Sequence, residues 1–437
     1  MTRLHTGPIT RALVVEGPHE TLDQYLDQSG ISVTRLSSVP DEAALIDAMV
    51  TTGAQVLFKR SRVPVTRKVI ESCPDLVAVQ LCCIGDDSVD KLACAEHGVL
   101  VFNDPVSNGR SVVEMALGHM IALSRRFYET DVQTHAHQWS KTAAGRFEVR
   151  GKHLGILGLG NIGRQVARAA EAFGMHIRFY DARLVAMEVG QEMGWASCES
   201  IEELFRTSDI VSVHTSARDP DGRDNAHILD QMLGLLAADR PEPSPRLFLN
   251  LARGNLHSAD ALLAAVESGS IRRAAVDVYP EEPAPGAPAW ENPYASQHRI
   301  TCTPHIGAAT QEAQPRIARR VSQTIASVSQ TGAIRDCVFS PKAQLSVGPP
   351  PDGGAILAVV HSTARGTKKA VDDAIYEAEV SNLGSTHLDF PNGIAYDLSL
   401  LDRPLNEREL QNLVDRAVSL AGDPTAVRSI RQVVREV

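Results

Sequence analysis

Gly151-Lys-His-Leu-Gly-Ile-Leu-Gly-Leu-Gly-Asn-Ile-Gly163 is an apolar run that breaks into a Gly-x-Gly-x-x-Gly turn. Leu154 to Leu157 reads as a buried strand. Asn161 to Phe173 reads as a helix whose Ile162, Val166, Ala170 and Phe173 recur at helical spacing. Gly158 makes the turn, Gly160 leaves the backbone open to a pyrophosphate, and Gly163 lets the helix close on the strand. The helix N-terminus favours an anion. Met175 to Tyr180 is the next strand, and Asp181 follows it, 18 residues beyond Gly163. A carboxylate there accepts from ribose hydroxyls. Glycines at this spacing also occur in unrelated loops. The flanking strand, helix and acid are what predict a dinucleotide site lined by Gly158, Gly160, Asn161, Ile162, Gly163 and Asp181. Asp181 repels a 2′-phosphate, so NAD is favoured over NADP. Arg183 lies close enough to soften that preference, but is read as a solvated loop charge.

Working outward, Ile210 to His214, Leu247 to Asn250, Ala274 to Val278 and Ile300 to Thr303 are further strands of the same unit. Before it, Arg11 to Glu16, Val56 to Phe58, Leu76 to Gln80 and Val99 to Phe102 alternate with helical stretches around 18–29, 41–51 and 64–72. This is a second parallel α/β pattern. Ser111 to Arg126 is a long helix, apolar on more than one side, expected to be buried between domains or subunits. Residues 331–353 are rich in Pro and Gly and read as a linker. The remainder restarts as βαββαβ, a small α+β sandwich expected to be separable. The boundaries are 1–108 with 305–330 for one α/β domain, 109–304 for the dinucleotide domain, 331–353 for the linker and 354–437 for the last domain.

A chain of 437 residues has material for about three domains. A net charge of -10 argues against non-specific binding to nucleic acid or membrane surfaces. The N-terminal segment lacks the apolar core of a signal peptide, and no apolar run reaches the ~18 residues that span a bilayer. Seven cysteines without framework spacing fit reduced thiols in cytoplasm. No metal-ligand spacing stands out.

Three later stretches carry chemistry: Asn250-Leu-Ala-Arg-Gly254, Asp277-Val-Tyr-Pro-Glu-Glu-Pro283 and Thr303-Pro-His-Ile-Gly307. Arg253 offers a planar donor fork suited to a carboxylate and a keto oxygen. His305 becomes an acid–base group if a carboxylate orients its ring. Glu281 and Glu282 both qualify, and charge alone does not separate them.

These stretches, in this order, resemble the D-2-hydroxyacid dehydrogenase family from about residue 11 to 330. The likeness is sharpest in Gly151 to Gly163 and in Thr303-Pro-His-Ile-Gly-Ala-Ala-Thr-Gln-Glu312. The resemblance implies a flavodoxin-like substrate domain and a Rossmann NAD domain, both doubly wound. The family's catalytic glutamate directly precedes proline, which selects Glu282. It implies Arg253 as the carboxylate binder and His305 as the proton donor and acceptor. It assigns Asp277 to the nicotinamide carboxamide, and Leu251, Ala252, Arg253, His305, Ile306, Gly307 and Ala308 to the cofactor side.

Within the family, Lys59-Arg60-Ser61, Cys83-Ile-Gly85 and Asn108-Gly-Arg-Ser-Val112 are similar to the substrate loops of members that oxidise D-3-phosphoglycerate in serine biosynthesis. That implies Arg60, Ser61, Gly85 and Asn108 at the substrate. Gln138-Trp-Ser-Lys141 resembles a segment that reaches a neighbouring subunit of a dimer or tetramer, where Lys141 adds charge at the phosphate. The C-terminal βαββαβ segment resembles an ACT regulatory domain, which implies an amino-acid effector. His361, Thr363 and Asn382 are candidates to line its site. Serine-binding members tend to carry His-x-Asn-x-Pro-Gly where this chain has His361-Ser-Thr-Ala-Arg-Gly366, so weak or absent serine inhibition is expected. The alternatives are another D-2-hydroxyacid dehydrogenase, for example one reducing 2-oxoglutarate, and a non-catalytic NAD-sensing protein on the same fold.

Overall fold

The computed structural model describes residues 2–219, 223–283, 289–341 and 343–435. Part of the polar loop at 218–224 therefore lies outside the described residues. The chain divides into two compact units, Met1–Ser107 with Gln314–Val437, and Asn108–Ala313.

The first unit begins with β1 (Arg3–Thr6), β2 (Arg11–Val14), β3 (Ser32–Arg35), β4 (Val56–Lys59), β5 (Ala78–Leu81) and β6 (Leu100–Phe102). Strands β2 to β6 form a parallel sheet in the order β3-β2-β4-β5-β6, the flavodoxin-like winding. Strands β4, β5 and β6 are buried along their whole length. Helices cover both faces of such a sheet, so its central strands read as continuous apolar runs.

The second unit holds β7 (His153–Leu157), β8 (His176–Tyr180), β9 (Ala196–Ser197), β10 (Ile210–Val213), β11 (Leu247–Asn250), β12 (Arg273–Val276) and β13 (Ile300–Cys302). All pair in parallel, in the order β13-β12-β11-β10-β7-β8-β9. The order reverses between β7 and β10, where a doubly wound sheet opens a ligand crevice at its carboxyl ends. The long helix is Gly109–Arg125. Its Val112, Val113, Ala116, Met120 and Leu123 share a core with Leu154, Ile156 and Val166. Packing within its own unit thus accounts for that apolarity. Phe173 departs from expectation. The helix stops at Ala172, so Phe173 is the C-cap and stands 48% exposed.

The C-terminal segment supplies β14 (Ala355–Ser362), β15 (Asn382–Asp389), β16 (Ile394–Leu401) and β17 (Val427–Val434), with helices Thr367–Glu377 and Glu407–Ala421. The sheet order is β1-β17-β14-β16-β15, so an N-terminal strand closes a C-terminal sheet. Period two gives the sheet two faces. Leu357 and Val359 pack under the two helices with Val371 and Leu413. Ile356, Ala358, Val360, Tyr396, Leu398 and Val433 share a core with Leu13, Phe58, Val79 and Phe102 of the first sheet. Residues read as linker join this core through Ile334, Cys337, Phe339 and Leu345.

Two polar side chains reinforce the junction. The helix Ala313–Thr331 ends in carbonyls that need outside donors. Buried Arg431 donates to Val328 O and Ser329 O, and Tyr396 Oη donates to Gly332 O at 2.6 Å. The last domain is therefore continuous with the first unit rather than separable from it. A βαββαβ pattern shows that a sheet has an apolar second face but not what covers it.

Truncation after Val338 is expected to uncover that face, lowering the unfolding midpoint and raising binding of a hydrophobic dye. Leu398→Ala should cost about 2–5 kcal/mol in denaturant unfolding of the full chain. An unchanged midpoint would show that the face contributes nothing.

Candidate active site

The glycine turn follows β7 at the reversal of strand order. Gly158 has φ 91°, and a Cβ there would meet the His214 backbone at 2.8 Å. A Cβ at Gly163 would meet Gly158 O at 2.1 Å, so the helix Asn161–Ala172 depends on a glycine to approach the strand. At Gly160 the nearest atom to a Cβ lies 3.9 Å away, which leaves the backbone accessible. This cradle fits a pyrophosphate against the helix N-terminus. Ile162 packs against the core behind it, and Asn161 Oδ1 accepts from Gln165 Nε2 at 3.2 Å.

Asp181 joins the two halves of the cradle. Its Oδ2 accepts from Leu159 N at 2.8 Å, inside the turn. Arg183 grips the same carboxylate with Nε at 2.9 Å and Nη2 at 2.7 Å. Arg183 is exposed, as expected from sequence, and is also paired to this carboxylate. Burial opposes the Asp181 charge, but Arg183 and the two backbone donors hold its carboxyl below the ordinary range.

The catalytic candidates converge within the second unit. Glu282, not Glu281, meets His305: Nδ1 lies 2.9 Å from Oε2. Burial works against the Glu282 charge, but the His305 contact and the Arg253 charge draw its carboxyl below the usual value. Arg253 sits on a loop braced by Asn250, whose Nδ2 donates to Arg253 O and whose Oδ1 accepts from Ala252 N. Leu251 is buried beside it. Gly254 is obligatory, because a Cβ would fall 1.8 Å from Tyr279 O. Asp277 is buried and holds the histidine loop. It accepts from Thr303 Oγ1 at 2.7 Å, Ile306 N at 2.9 Å and Gly307 N at 2.7 Å. His305 itself has φ 54°, a left-handed conformation that side chains adopt only when the surroundings impose it. Ala308 follows on the same turn.

The substrate candidates divide between the units. In the first unit, Arg60 and Ser61 follow β4 on a loop shaped by Glu16, which sequence reading missed. Its carboxylate accepts from Arg60 N at 2.8 Å, Arg62 N at 2.6 Å and Val63 N at 3.1 Å. Its signal is weak, an acid at a strand end. Lys59 is a fully buried strut, donating from Nζ to Arg60 O and Ser88 Oγ. Burial pushes its ammonium down against the pull of Glu16. Gly85 O accepts from Cys83 Sγ. In the second unit, Asn108 is the N-cap of Gly109–Arg125, and Lys141 is exposed in the segment of Trp139. The effector candidates do not converge within the chain. His361 lies level with Ala395 at one end of the sheet, and Asn382 with Leu401 at the other.

With this geometry in place, comparison with known proteins becomes informative. Residues 117–307 match the D-isomer specific 2-hydroxyacid dehydrogenase, NAD binding domain. The D-3-phosphoglycerate dehydrogenase of Escherichia coli (strain K12) is 33% identical over 378 residues, 86% of this chain and 87% of that protein. The chain belongs to the D-isomer-specific 2-hydroxyacid dehydrogenase family. It is an NAD-dependent oxidoreductase. The D-3-phosphoglycerate dehydrogenase of Dictyostelium discoideum is 32% identical, over 85% of this chain and 87% of that one. Among solved structures, a glyoxylate reductase from Paecilomyes thermophila superposes with a TM-score of 0.64 at 26% identity, covering 76% of this chain and 98% of the reductase. The dehydrogenase therefore carries material that the reductase lacks. No helix among the described residues is long and apolar enough to cross a membrane.

The Asp181–Arg183 pair generates a coenzyme prediction. Asp181→Ala removes the candidate ribose acceptor and frees the Arg183 guanidinium from its carboxylate partner. The preference for NAD(H) over NADP(H) should narrow, chiefly through a lower KM for NADP(H). Comparable kcat/KM for both coenzymes before mutation would overturn the role given to Asp181.

Proposed function

We propose that this dehydrogenase oxidises D-3-phosphoglycerate to 3-phosphooxypyruvate, the first step of L-serine biosynthesis, with Arg253, Glu282 and His305 as its catalytic residues. The observation that carries the reading is the His305–Glu282 contact at 2.9 Å. The names of the relatives at 32–33% identity support the substrate. Bound NAD supplies the hydride acceptor. Glu282 accepts from His305 Nδ1–H, which leaves Nε2 as the base for the substrate hydroxyl proton. The Glu282 carboxylate then stabilises the imidazolium. Arg253 pairs its fork with the substrate carboxylate and polarises the reacting oxygen. Asp277 fixes the His305 loop and receives the nicotinamide carboxamide. Arg60 and Ser61, with Gly85 and Asn108, hold the phosphorylated end.

A cytoplasmic homo-oligomer, dimer or tetramer, belongs to the same proposal. Trp139 is 88% exposed beside Lys141, as a segment that reaches a partner subunit would be. None of the seven cysteines forms a disulfide among the described residues, which suits a reducing compartment. An amino-acid effector at the C-terminal segment remains part of the proposal only across a subunit boundary, since its candidate residues lie at opposite ends of the sheet.

Three outcomes test the reading. His305→Ala should lower kcat by ~10²-fold or more, the scale of a lost acid–base group. The Glu282 carboxyl titrates below the ordinary carboxylate range, so its stabilising charge is complete above that range and is lost only as pH falls through the depressed value. At neutral pH the pair is therefore intact. Glu282→Gln removes the charge that favours imidazolium, so the acid limb of the oxidation profile should move to lower pH. Glu281→Gln should leave the profile in place. Arg60→Ala should raise KM for phosphoglycerate far more than for a small unphosphorylated 2-hydroxy acid. Equal damage to both would assign Arg60 to the shared carboxylate, and would favour a small-acid substrate like that of the glyoxylate reductase.

A further inference from the structure

His361, His387 and Asp397 meet on the helix-covered face of the C-terminal sheet, at the end of β14 nearest the helix Thr367–Glu377. Register brings them together. His387 lies directly across from Asp397, and Asp397 across from Val359, two residues before His361. Residues two apart share a face. The two rings stack with centroids 5.5 Å apart. His387 Nδ1 is 3.5 Å from Asp397 Oδ2, and His361 Nε2 is 3.8 Å from it. The three ligand atoms all lie within 4.8 Å of one another.

The protons are already committed elsewhere. His361 Nδ1 lies 2.7 Å from Ser362 O, an acceptor that requires Nδ1–H. His387 Nε2 lies 3.1 Å from Asp389 Oδ1, which likewise requires Nε2–H. In their neutral forms, both rings present a bare lone pair toward Asp397. His361 is 1% exposed and Asp397 is 1% exposed. Neither His361 Nε2 nor the Asp397 carboxylate makes a well-aligned hydrogen bond, and the charge facing Asp397 Oδ2 is that of Lys368. Three electron-rich atoms facing one another, two of them buried, are unfavourable without a cation among them. Lys368 Nζ, 3.2 Å from Asp397 Oδ2, supplies one positive charge from the helix above. It is also paired with Asp372 one turn on, where it can remain when Asp397 takes another partner.

We infer that His361, His387 and Asp397 form a binding site for a divalent transition metal, Zn²⁺ by the chemistry of its ligands. Two imidazoles and one carboxylate are a zinc donor set, with the fourth position open. Ligand atoms around tetrahedral zinc lie roughly 3.3 Å apart, and the three atoms here lie within 4.8 Å of one another, so closing the site draws the widest pair together by up to about 1.5 Å. Asp389 and Ser362 O orient the two rings as partners behind metal-bound histidines do. The site lies in the sheet that β1 and the first core share, outside the catalytic residues of the second unit.

Calorimetric titration of the full chain with Zn²⁺ at neutral pH, after chelator treatment and dialysis, tests this. One Zn²⁺ per chain should bind, and Co²⁺ in its place should give the visible absorption of a low-coordinate nitrogen and oxygen site. His387→Gln, at the solvent side, and Asp397→Asn should abolish the event, with circular dichroism verifying that each folds. Asp389→Asn should weaken binding ~10–100-fold without removing a ligand. His305→Gln should retain the stoichiometry. Absence of binding in the folded wild-type chain would overturn the site. So would full binding in folded His387→Gln, or loss of binding in His305→Gln alone.

Discussion

One buried carboxylate arranges the candidate active site. Asp277 lies at the end of β12, 1% exposed, and accepts three hydrogen bonds from the loop that carries His305. An ionised acceptor makes each of those bonds stronger than a neutral pair would. Together they hold His305 in a left-handed backbone conformation that costs of order 1–3 kcal/mol. That conformation accompanies the placement of Nδ1 against Glu282. If Asp277 released the loop, the imidazole would lose the Glu282 contact, and the proposed acid–base pair would become two independent surface groups.

The cofactor cradle follows the same logic. Asp181 is both the candidate ribose acceptor and a brace, because its carboxylate binds the Leu159 amide inside the glycine turn. Arg183 keeps that carboxylate ionised in a buried setting. The glycines supply clearance on three sides: at Gly158 for the backbone after β10, at Gly163 for the turn itself, and at Gly254 for the Tyr279 carbonyl. Parallel strands bring all of these loops to one end of the sheet, so residues far apart in sequence share a site.

In the first unit, the C-terminal sheet uses both faces. One is sealed by its own helices and the other contributes to the core around β2 to β6. Arg431 and Tyr396 supply donors to a helix end that would otherwise leave carbonyls unsatisfied. The His361, His387 and Asp397 group sits on the helix side, where antiparallel register gathers one residue from each of three strands. A regulatory reading of this segment therefore has to act through a structure tightly joined to the first unit.

Much of the site was legible in the sequence because its chemistry is local. The Gly158 to Gly163 turn, Asp181 at the next strand end, and the stretches around Arg253, Glu282 and His305 each announce a residue type beside a strand terminus. Period and strand length showed the two parallel sheets and the βαββαβ order. The choice of Glu282 over Glu281 needed either the family pattern or the structure, since two adjacent carboxylates differ only in direction. Three features were decided by tertiary structure alone. Arg3–Thr6 alternates without an apolar signature, and it becomes a strand because β17 offers an unpaired edge. Arg183 is a surface charge in sequence and structure alike, and only the fold after β8 shows that it pairs with Asp181. His361, His387 and Asp397 are spread across 37 positions with no ligand spacing, and only strand register makes them neighbours. Sequence determines what a residue can do and the periodicity of its own element. Which distant group it meets is set by how sheets pair and which faces they bury, a property of the packed chain.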